Sequence, residues 1–133
     1  MADPTVAAIG LDHLVLHCAD IDASLAWYID RLGLAPVRVD EWRAGMAPFP
    51  SLRVDATTII DLLPGDTPAG RLDHLCFVVR ATDLAALVAS GAFTVLDGPV
   101  PRFGAQGTGT SVYVADPDGH VIELRRYDAT ATS

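Results

Sequence analysis

The sequence predicts an α+β fold built from two tandem βαβββ modules. The main observation is a repeat, because the tetrapeptide Leu-Asp-His-Leu at 11–14 returns at 72–75, 61 positions later. An apolar run follows each copy, and then an acidic residue and an alanine- and leucine-rich stretch typical of a helix. A repeat of this kind indicates one supersecondary unit used twice. Because the other connections look like hairpins, we expect two sheets that can combine into a curved shared surface.

The first module is predicted to span about residues 9–64. Alternation predicts a strand over Ile9–Cys18, with His13 and His17 on one face. A helix should follow, with Asp20 or Asp22 as N-cap. Its apolar stripe at helical spacing consists of Leu25, Tyr28, Ile29 and Leu32, and Gly33 stands where a left-handed residue would end it. The remaining elements are expected to be a strand at Pro36–Trp42, a loop at Arg43–Pro50, and strands at Ser51–Asp55 and Thr57–Leu63.

The second module is predicted to span about residues 71–127, after a turn-rich connector at Pro64–Gly70. Thr82 or Asp83 should cap a short helix that ends at Gly91. The strands are expected at Arg71–Val79, Phe93–Leu96, Thr110–Ala115 and His120–Tyr127, with a long Gly- and Pro-rich loop at Gly98–Gly109 and a turn at Asp116–Gly119. The modules together predict one domain over 9–127, with flexible termini at 1–8 and 128–133.

Composition excludes several classes of partner. The net charge is −8, from 17 acidic and 9 basic residues, which argues against binding to nucleic acid or to an anionic membrane surface. No apolar run approaches the roughly 20 residues that span a bilayer, and the N-terminus does not resemble a secretory signal. A cytoplasmic location is therefore expected. In that setting, Cys18 and Cys76 are predicted to be free thiols.

The repeat also predicts a candidate site. His13 and His74 occupy matching places in the two modules, and Asp61 and Glu123 stand 62 positions apart in the last strand of each. Imidazole and carboxylate donors suit Zn, Ni, Mn, Co or Fe(II), and a charged side chain within an apolar strand is costly unless it is paired or metal-bound. The alternatives are a hydrogen-bonded core histidine at position 13 and a solvated edge acid at position 123. Cys76 has the parity to face the same cavity, where a buried inert thiol is the expected role.

The chain resembles the vicinal oxygen chelate superfamily, which includes glyoxalase I, extradiol dioxygenases, fosfomycin-resistance thiol transferases and bleomycin-binding proteins. The resemblance covers about Ile9–Tyr127 and depends on both Leu-Asp-His-Leu segments and, most specifically, on Tyr113–Leu124. It implies a cup-like mixed sheet around a metal or ligand cavity. It also implies metal binding by His13, His74 and Glu123. Asp61 stands where glyoxalase I has a longer Glu or Gln, so it is expected to be a fourth ligand, a ligand through water, or a base.

The function implied by the resemblance is that of a glyoxalase-like, metal-dependent lyase or isomerase acting on a small oxygen-chelating substrate. Asp61 and Glu123 would be its catalytic carboxylates, while Arg102, Tyr113 and Arg125 would contact the substrate. The alternatives are a metal-free drug or natural-product binding protein, a ring-cleaving dioxygenase and a fosfomycin-type thiol transferase. A homodimer is expected, with a site formed within one chain or across the dimer.

Overall fold

The computed structural model of the protein describes residues 9, 11–65, 72, 74–80, 82–104 and 106–127. The chain divides into two compact units, Met1–Thr67 and Pro68–Ser133, here named the first and second unit. The predicted flexible termini at 1–8 and 128–133, and the connector after Gly65, lie outside the described residues.

The first unit contains one four-stranded mixed sheet. Its elements in chain order are β1 His13–Cys18, α1 Ile21–Leu32, β2 Ala35–Val37, α2 Val39–Arg43, β3 Ser51–Asp55 and β4 Thr58–Pro64. The strand order is β1-β4-β3-β2, in which β1 and β4 are parallel and the other pairs are antiparallel. This arrangement brings the first and last strands of the unit side by side, and these are the strands that carry the predicted site residues.

Capping residues mark both ends of helix α1. The Asp20 carboxylate accepts a hydrogen bond from the Ala23 N–H at 3.0 Å, so Asp20 is the N-cap. Gly33 adopts φ 72° and its N–H bonds to the Ile29 carbonyl, which ends the helix as predicted. The helix buries Leu25 and Tyr28 of its apolar stripe. The core of this unit also contains Leu16, Leu52, Ile60 and Leu62.

The predicted strand over Pro36–Trp42 is wrong. Strand β2 ends at Val37, and Val39–Arg43 forms the short helix α2. Arg38 lies between them with φ 57° and ψ 24°, a left-handed conformation that an extended strand cannot contain. The chain turns here, and the Arg38 side chain reaches the sheet, where its Nη2 donates to Ser51 Oγ at 2.8 Å.

The second unit repeats the architecture of the first. Its elements are β5 Leu75–Val78, α3 Leu84–Ala89, β6 Thr94–Gly104, β7 Gly107–Ala115 and β8 Val121–Arg126. The strand order β5-β8-β7-β6 matches that of the first unit, and β5 and β8 are again parallel. Asp83 is the N-cap of α3, accepting from the Ala86 N–H at 3.0 Å. Two mixed sheets with few helices confirm the predicted α+β class.

The predicted loop over Gly98–Gly109 is also wrong for most of its length. Strands β6 and β7 pair from Thr94 with Ala115 to Gly104 with Gly107. The register shifts twice, between Val95 and Asp97 and again before Val100, so the ladder absorbs the glycine and proline residues as irregularities. The hairpin that follows is turned by Asp116, whose Oδ1 accepts from the His120 N–H at 2.8 Å.

Three further boundaries differ from the prediction. Strand β1 begins at His13 rather than Ile9, β5 covers only Leu75–Val78, and β8 covers Val121–Arg126. In the described part of the chain, every helix is too short or too polar to cross a membrane.

Candidate functional site

His13 is placed at the start of β1, with a carboxylate bound to one of its ring nitrogens. Its Nδ1 lies 2.8 Å from Asp12 Oδ2. The hydrogen bond that His13 donates to Asp12, with a smaller effect of the Asp61 charge, raises the pKa of His13 above its usual value. Asp12 thus holds the imidazole ring. Its counterpart in the second copy, Asp73, lies outside the described residues.

Asp61 is buried on β4, beside the strand that carries His13. Val15 and Asp61 are Cα partners in the parallel β1–β4 ladder, so His13, two residues before Val15, shares a sheet face with Asp61. Asp61 is 6% exposed, and its Oδ1 accepts from Ser51 Oγ at 2.6 Å. The Arg38 guanidinium lies 3.7 Å from the same oxygen. Asp61 is therefore a paired, buried carboxylate.

The second unit brings its histidine and its acid into direct contact. His74 Nε2 lies 3.0 Å from Glu123 Oε1. The register is the one seen in the first unit, because Cys76 is the Cα partner of Glu123, as Val15 is of Asp61. The alternative of a solvated edge acid is wrong for Glu123, which is 3% exposed.

The surroundings of Glu123 favour its ionised form. Burial alone would raise the pKa of Glu123, but hydrogen bonds from Ser111 and Arg125 outweigh it and hold the pKa below its usual value. Both donors bind Oε2, at 2.6 Å from Ser111 Oγ and 2.9 Å from Arg125 Nη2. Oε2 is thus engaged by the protein, while Oε1 points to His74.

The three residues expected to contact substrate have different surroundings. Arg125 is 3% exposed, and its Nη1 donates to the Arg102 carbonyl at 2.8 Å while its Nη2 binds Glu123. Arg102 is open to solvent, with its guanidinium 3.6 Å from Asp97 and 5.9 Å from the centre of the Tyr113 ring. The Tyr113 ring in turn meets the His74 ring edge-on, at 5.7 Å between centres. Arg102 and Tyr113 can therefore reach a molecule beside His74, whereas Arg125 is occupied within the protein.

Both cysteines are free thiols, as predicted. Cys18 is buried, whereas Cys76 is exposed beside Glu123 in the sheet. Partial burial of the Cys76 sulfur raises the pKa of its thiol, which favours the inert protonated form. His17 lies near the end of β1, where its ring lies beside Gly65.

The distance between His74 and Glu123 fits a shared metal ion. A divalent cation bound at about 2.1 Å to two donors would hold those donors about 3.0 Å apart at the right angle of an octahedral shell, and about 3.4 Å apart at the tetrahedral angle of zinc sites. His74 Nε2 and Glu123 Oε1 have the first of these separations, 3.0 Å, so they suit two neighbouring positions of one coordination shell. Among the described residues, no group of three or more His, Cys, Asp or Glu side chains is gathered around one point. The second unit thus provides two donors, and a complete site needs more.

Comparison with known proteins gives a consistent family. The sequence profile of the Glyoxalase/Bleomycin resistance protein/Dioxygenase superfamily matches residues 10–124. The match includes both histidines and both carboxylates of the two units.

Individual relatives cover most of the chain. Virulence protein STM3117 of Salmonella typhimurium is 31% identical over 121 residues, which cover 88% of this chain and 83% of the relative. Glyoxalase domain-containing protein RDO1 of Mycosarcoma maydis is 33% identical over 121 residues, covering 88% and 68% of the two chains. Among solved structures, an integron cassette protein from the mobile metagenome of V. cholerae has a TM-score of 0.71 and 31% identity, covering 92% of this chain and 98% of its own.

Proposed function

Because the chain belongs to the glyoxalase/bleomycin resistance protein/dioxygenase superfamily, we propose that it is a metal-dependent lyase or isomerase of glyoxalase type. Its substrate would be a small molecule that presents two adjacent oxygens. The observation that supports this proposal most is the contact between His74 Nε2 and Glu123 Oε1 at 3.0 Å, since an imidazole and an ionised carboxylate at this spacing suit one divalent cation. Zn, Ni, Mn, Co and Fe(II) all accept such ligands.

His13 is proposed as the third ligand. A metal-binding histidine generally donates its other ring N–H to a carboxylate, a backbone carbonyl or water, and this hydrogen bond sets the tautomer and the ring orientation. The 2.8 Å contact of His13 Nδ1 with Asp12 has this form, and it reserves Nε2 for a cation. Asp61, which shares the sheet face of His13, would be a fourth ligand, a ligand through water, or a base.

The proposed roles of the side chains follow from their surroundings. The metal, when bound, would grip the two substrate oxygens and stabilise the negative charge that develops on them. Asp61 or Glu123 would move a proton between the neighbouring carbons, since both are buried carboxylates. Arg102 and Tyr113 would contact the substrate, because Tyr113 lies beside His74 and the exposed Arg102 lies beside Tyr113.

A metal-free binding protein for a drug or natural product is the second candidate. The observation that favours it is that Glu123 already has a charge partner within the protein, because Arg125 Nη2 lies 2.9 Å from its Oε2. On this alternative the His74–Glu123 pair would be a structural ion pair, and the exposed Arg102 and Tyr113 would serve a bound ligand. The two candidates differ in whether the purified protein retains a metal.

Metal analysis decides between them. Protein purified without chelators should hold close to one divalent metal per site, and His74→Gln should lose it because one of the two closest donors disappears. His17→Gln is the matched control, since this histidine lies on the same strand as His13 but at its far end, beside Gly65. Less than about a tenth of a metal per chain, with no uptake on soaking, would favour the binding protein instead.

A mixing experiment tests whether one site uses one chain or two. His13→Gln and His74→Gln variants are each expected to be metal-free. If the site forms across a homodimer, a mixed dimer of the two variants has one site with both histidines intact, and metal binding returns. If the site forms within a chain, mixing restores nothing. Sedimentation analysis of the same samples would show whether a dimer is present.

A further inference from the structure

Each unit of the protein holds its carboxylate in the same way. Ser51 Oγ donates to Asp61 Oδ1 at 2.6 Å, and Ser111 Oγ donates to Glu123 Oε2 at 2.6 Å. Both serines are fully buried, and both carboxylates are nearly so. Two short hydrogen bonds of the same type thus occur at matching acids, in sheets of the same strand order.

An arginine completes each arrangement. Arg125 Nη2 binds the same oxygen of Glu123 as Ser111 does, at 2.9 Å. In the first unit, Arg38 Nη2 donates to Ser51 Oγ at 2.8 Å and lies 3.7 Å from Asp61 Oδ1. A buried carboxylate is costly unless it is paired, and these arginines provide the pairing.

Simple duplication does not explain the similarity. Ser51 is the Cα partner of Asp61 itself, whereas Ser111 is the partner of Arg125 and lies diagonal to Glu123. The arginines differ even more. Arg125 follows its acid by two residues on the same strand, but Arg38 comes from the junction of β2 and α2. Equivalent contacts made from unequal positions indicate a requirement at the carboxylate rather than a copied residue.

Arg38 is held in an unfavourable backbone conformation. Its φ of 57° is the one positive value among the described non-glycine residues. A non-glycine residue in the left-handed region is strained and persists where surrounding contacts determine it. The contact of Arg38 with Ser51 is such a contact, so the chain accepts strain to keep this arginine beside Asp61.

We propose that Ser111 and Arg125 are positioning residues that fix Glu123 Oε2 so that Oε1 is presented to the metal beside His74, and that Ser51 and Arg38 are positioning residues that fix Asp61 Oδ1. The inference rests on the proposed function, since it assigns these residues to the metal site. The terminal torsion of a glutamate is broad, so an unheld carboxylate would rotate. Two donors on one oxygen remove that freedom and leave the other oxygen for the cation.

The proposed role of Arg125 therefore differs from the substrate contact that the resemblance implies. At 3% exposure, with Nη1 on the Arg102 carbonyl and Nη2 on Glu123, it has no open path to a substrate. It acts through Glu123, as a partner of a metal ligand does. Arg102, whose side chain is 45% exposed, remains the arginine available to the substrate.

The test compares two buried serines. Ser111→Ala should weaken Zn²⁺ binding by about 10–100-fold, which is the usual effect of removing a hydrogen-bond partner of a ligand. Ser24→Ala is the matched control, because Ser24 is equally buried but lies on α1. It should bind Zn²⁺ within about twofold of the wild type. Affinities are measured by competition with a chromogenic chelator. Equal affinity for Ser111→Ala and the wild type, or equal weakening by both variants, would overturn the proposal.

A pair of arginine variants separates charge from geometry. Arg125→Lys keeps the charge with a single donor group and should retain more Zn²⁺ affinity than Arg125→Met, although less than the wild type. In the first unit, a crystal structure of metal-free Ser51→Ala should show Asp61 Oδ1 displaced from its place beside Arg38 Nη2, and an unmoved carboxylate would overturn the role of Ser51. If Arg125→Met binds Zn²⁺ as well as the wild type does, the assignment of Arg125 is wrong.

A crystal structure of metal-free Ser111→Ala tests the positioning role of Ser111 separately from the proposed metal-dependent function. If the wild type binds no Zn²⁺, the proposed function fails, and the positioning role is then judged on geometry alone. The expected result is that Glu123 Oε1 moves away from its 3.0 Å contact with His74 Nε2. A contact that stays unchanged without the Ser111 hydroxyl would overturn the positioning role.

Discussion

Replacing Gly98 by alanine should destabilise the second unit and disturb the support of Glu123. Gly98 has φ 96°, and a Cβ at this position would lie 2.5 Å from the Ser111 carbonyl oxygen and 3.1 Å from Val112 Cα. Both contacts involve backbone atoms of β7, which cannot rotate away as a flexible side chain can. The alanine methyl group must therefore displace the strand segment that carries Ser111.

The magnitude follows from two costs. A non-glycine residue with positive φ costs roughly 1–2 kcal/mol, and forcing a methyl group into packed surroundings adds about 1–3 kcal/mol. Gly91→Ala is the matched control in the same unit, because Gly91 has φ 73° and a Cβ there meets nothing within 4 Å. The cost of positive φ is common to both variants and cancels. Gly98→Ala should therefore lose about 1–3 kcal/mol more unfolding free energy than Gly91→Ala.

Urea unfolding followed by circular dichroism measures this difference. With an m-value of about 1–3 kcal/mol/M, the midpoint of Gly98→Ala should fall about 1 M below that of Gly91→Ala. Zn²⁺ affinity should also fall for Gly98→Ala, because Ser111 loses its position opposite Arg125 and diagonal to Glu123. Equal midpoints for the two variants would refute the steric argument. A lower midpoint with unchanged Zn²⁺ affinity would show that the displacement of Ser111 does not reach the site.

Two further predictions concern local acid contacts. The hydrogen bond from the Thr57 backbone holds the pKa of Asp55 below its usual value, so the stability it adds is present above the pKa of an unfolded Asp and is lost as pH falls through the folded-state pKa. A carbon-13 titration of the carboxyl should show this low pKa, and Asp55→Asn should flatten that part of the acid dependence; a usual pKa would contradict the prediction. Asp20→Ala and Asp83→Ala should each cost about 1 kcal/mol in urea unfolding, because each removes an N-cap, whereas Asp22→Ala should cost less. Equal losses for Asp20→Ala and Asp22→Ala would show that the cap hydrogen bond adds no stability.

The repeat made most of the fold predictable. Once Leu-Asp-His-Leu is found twice, the apolar runs and the capping acids of the two units predict each other, and the structure has the same strand order in both. The short helix α2 could not be found in this way. It depends on Arg38 turning toward Ser51, a contact between residues 13 apart that local patterns do not record.

The prediction of a loop where β6 and β7 form a hairpin was wrong for a different reason. Glycine and proline are depleted in strands, so Gly98 and Pro99 predict a loop. Here two register shifts place them at irregularities, and the close approach of Gly98 to Ser111 is what demands a glycine. Propensity describes an average strand, whereas these positions are set by contacts with one particular neighbour.

The candidate site shows the same division between repeated and unrepeated features. His74 and Glu123 each have a counterpart in the first unit at nearly the same offset, which marks them as candidates. In the structure, His74 Nε2 and Glu123 Oε1 lie 3.0 Å apart. Ser111 and Arg125 could not be identified as partners of Glu123, because neither occupies a place that corresponds to its counterpart in the first unit. Asp12 was visible in the repeated tetrapeptide. Strand alternation places adjacent residues on opposite faces, so it does not predict the contact of Asp12 with the His13 ring.

The two carboxylates have unequal reach, and this affects how a metal could be shared. Glu123 binds Ser111 and Arg125 through Oε2 and meets His74 through Oε1, so its two oxygens have separate tasks. Asp61 is one methylene shorter, and its contacts with Ser51 and Arg38 both involve Oδ1. A shorter acid held back in this way is better placed to act on a proton or on a metal-bound water than to complete a tight coordination shell. The duplicated halves would then have diverged in role, with Glu123 as ligand and Asp61 as base.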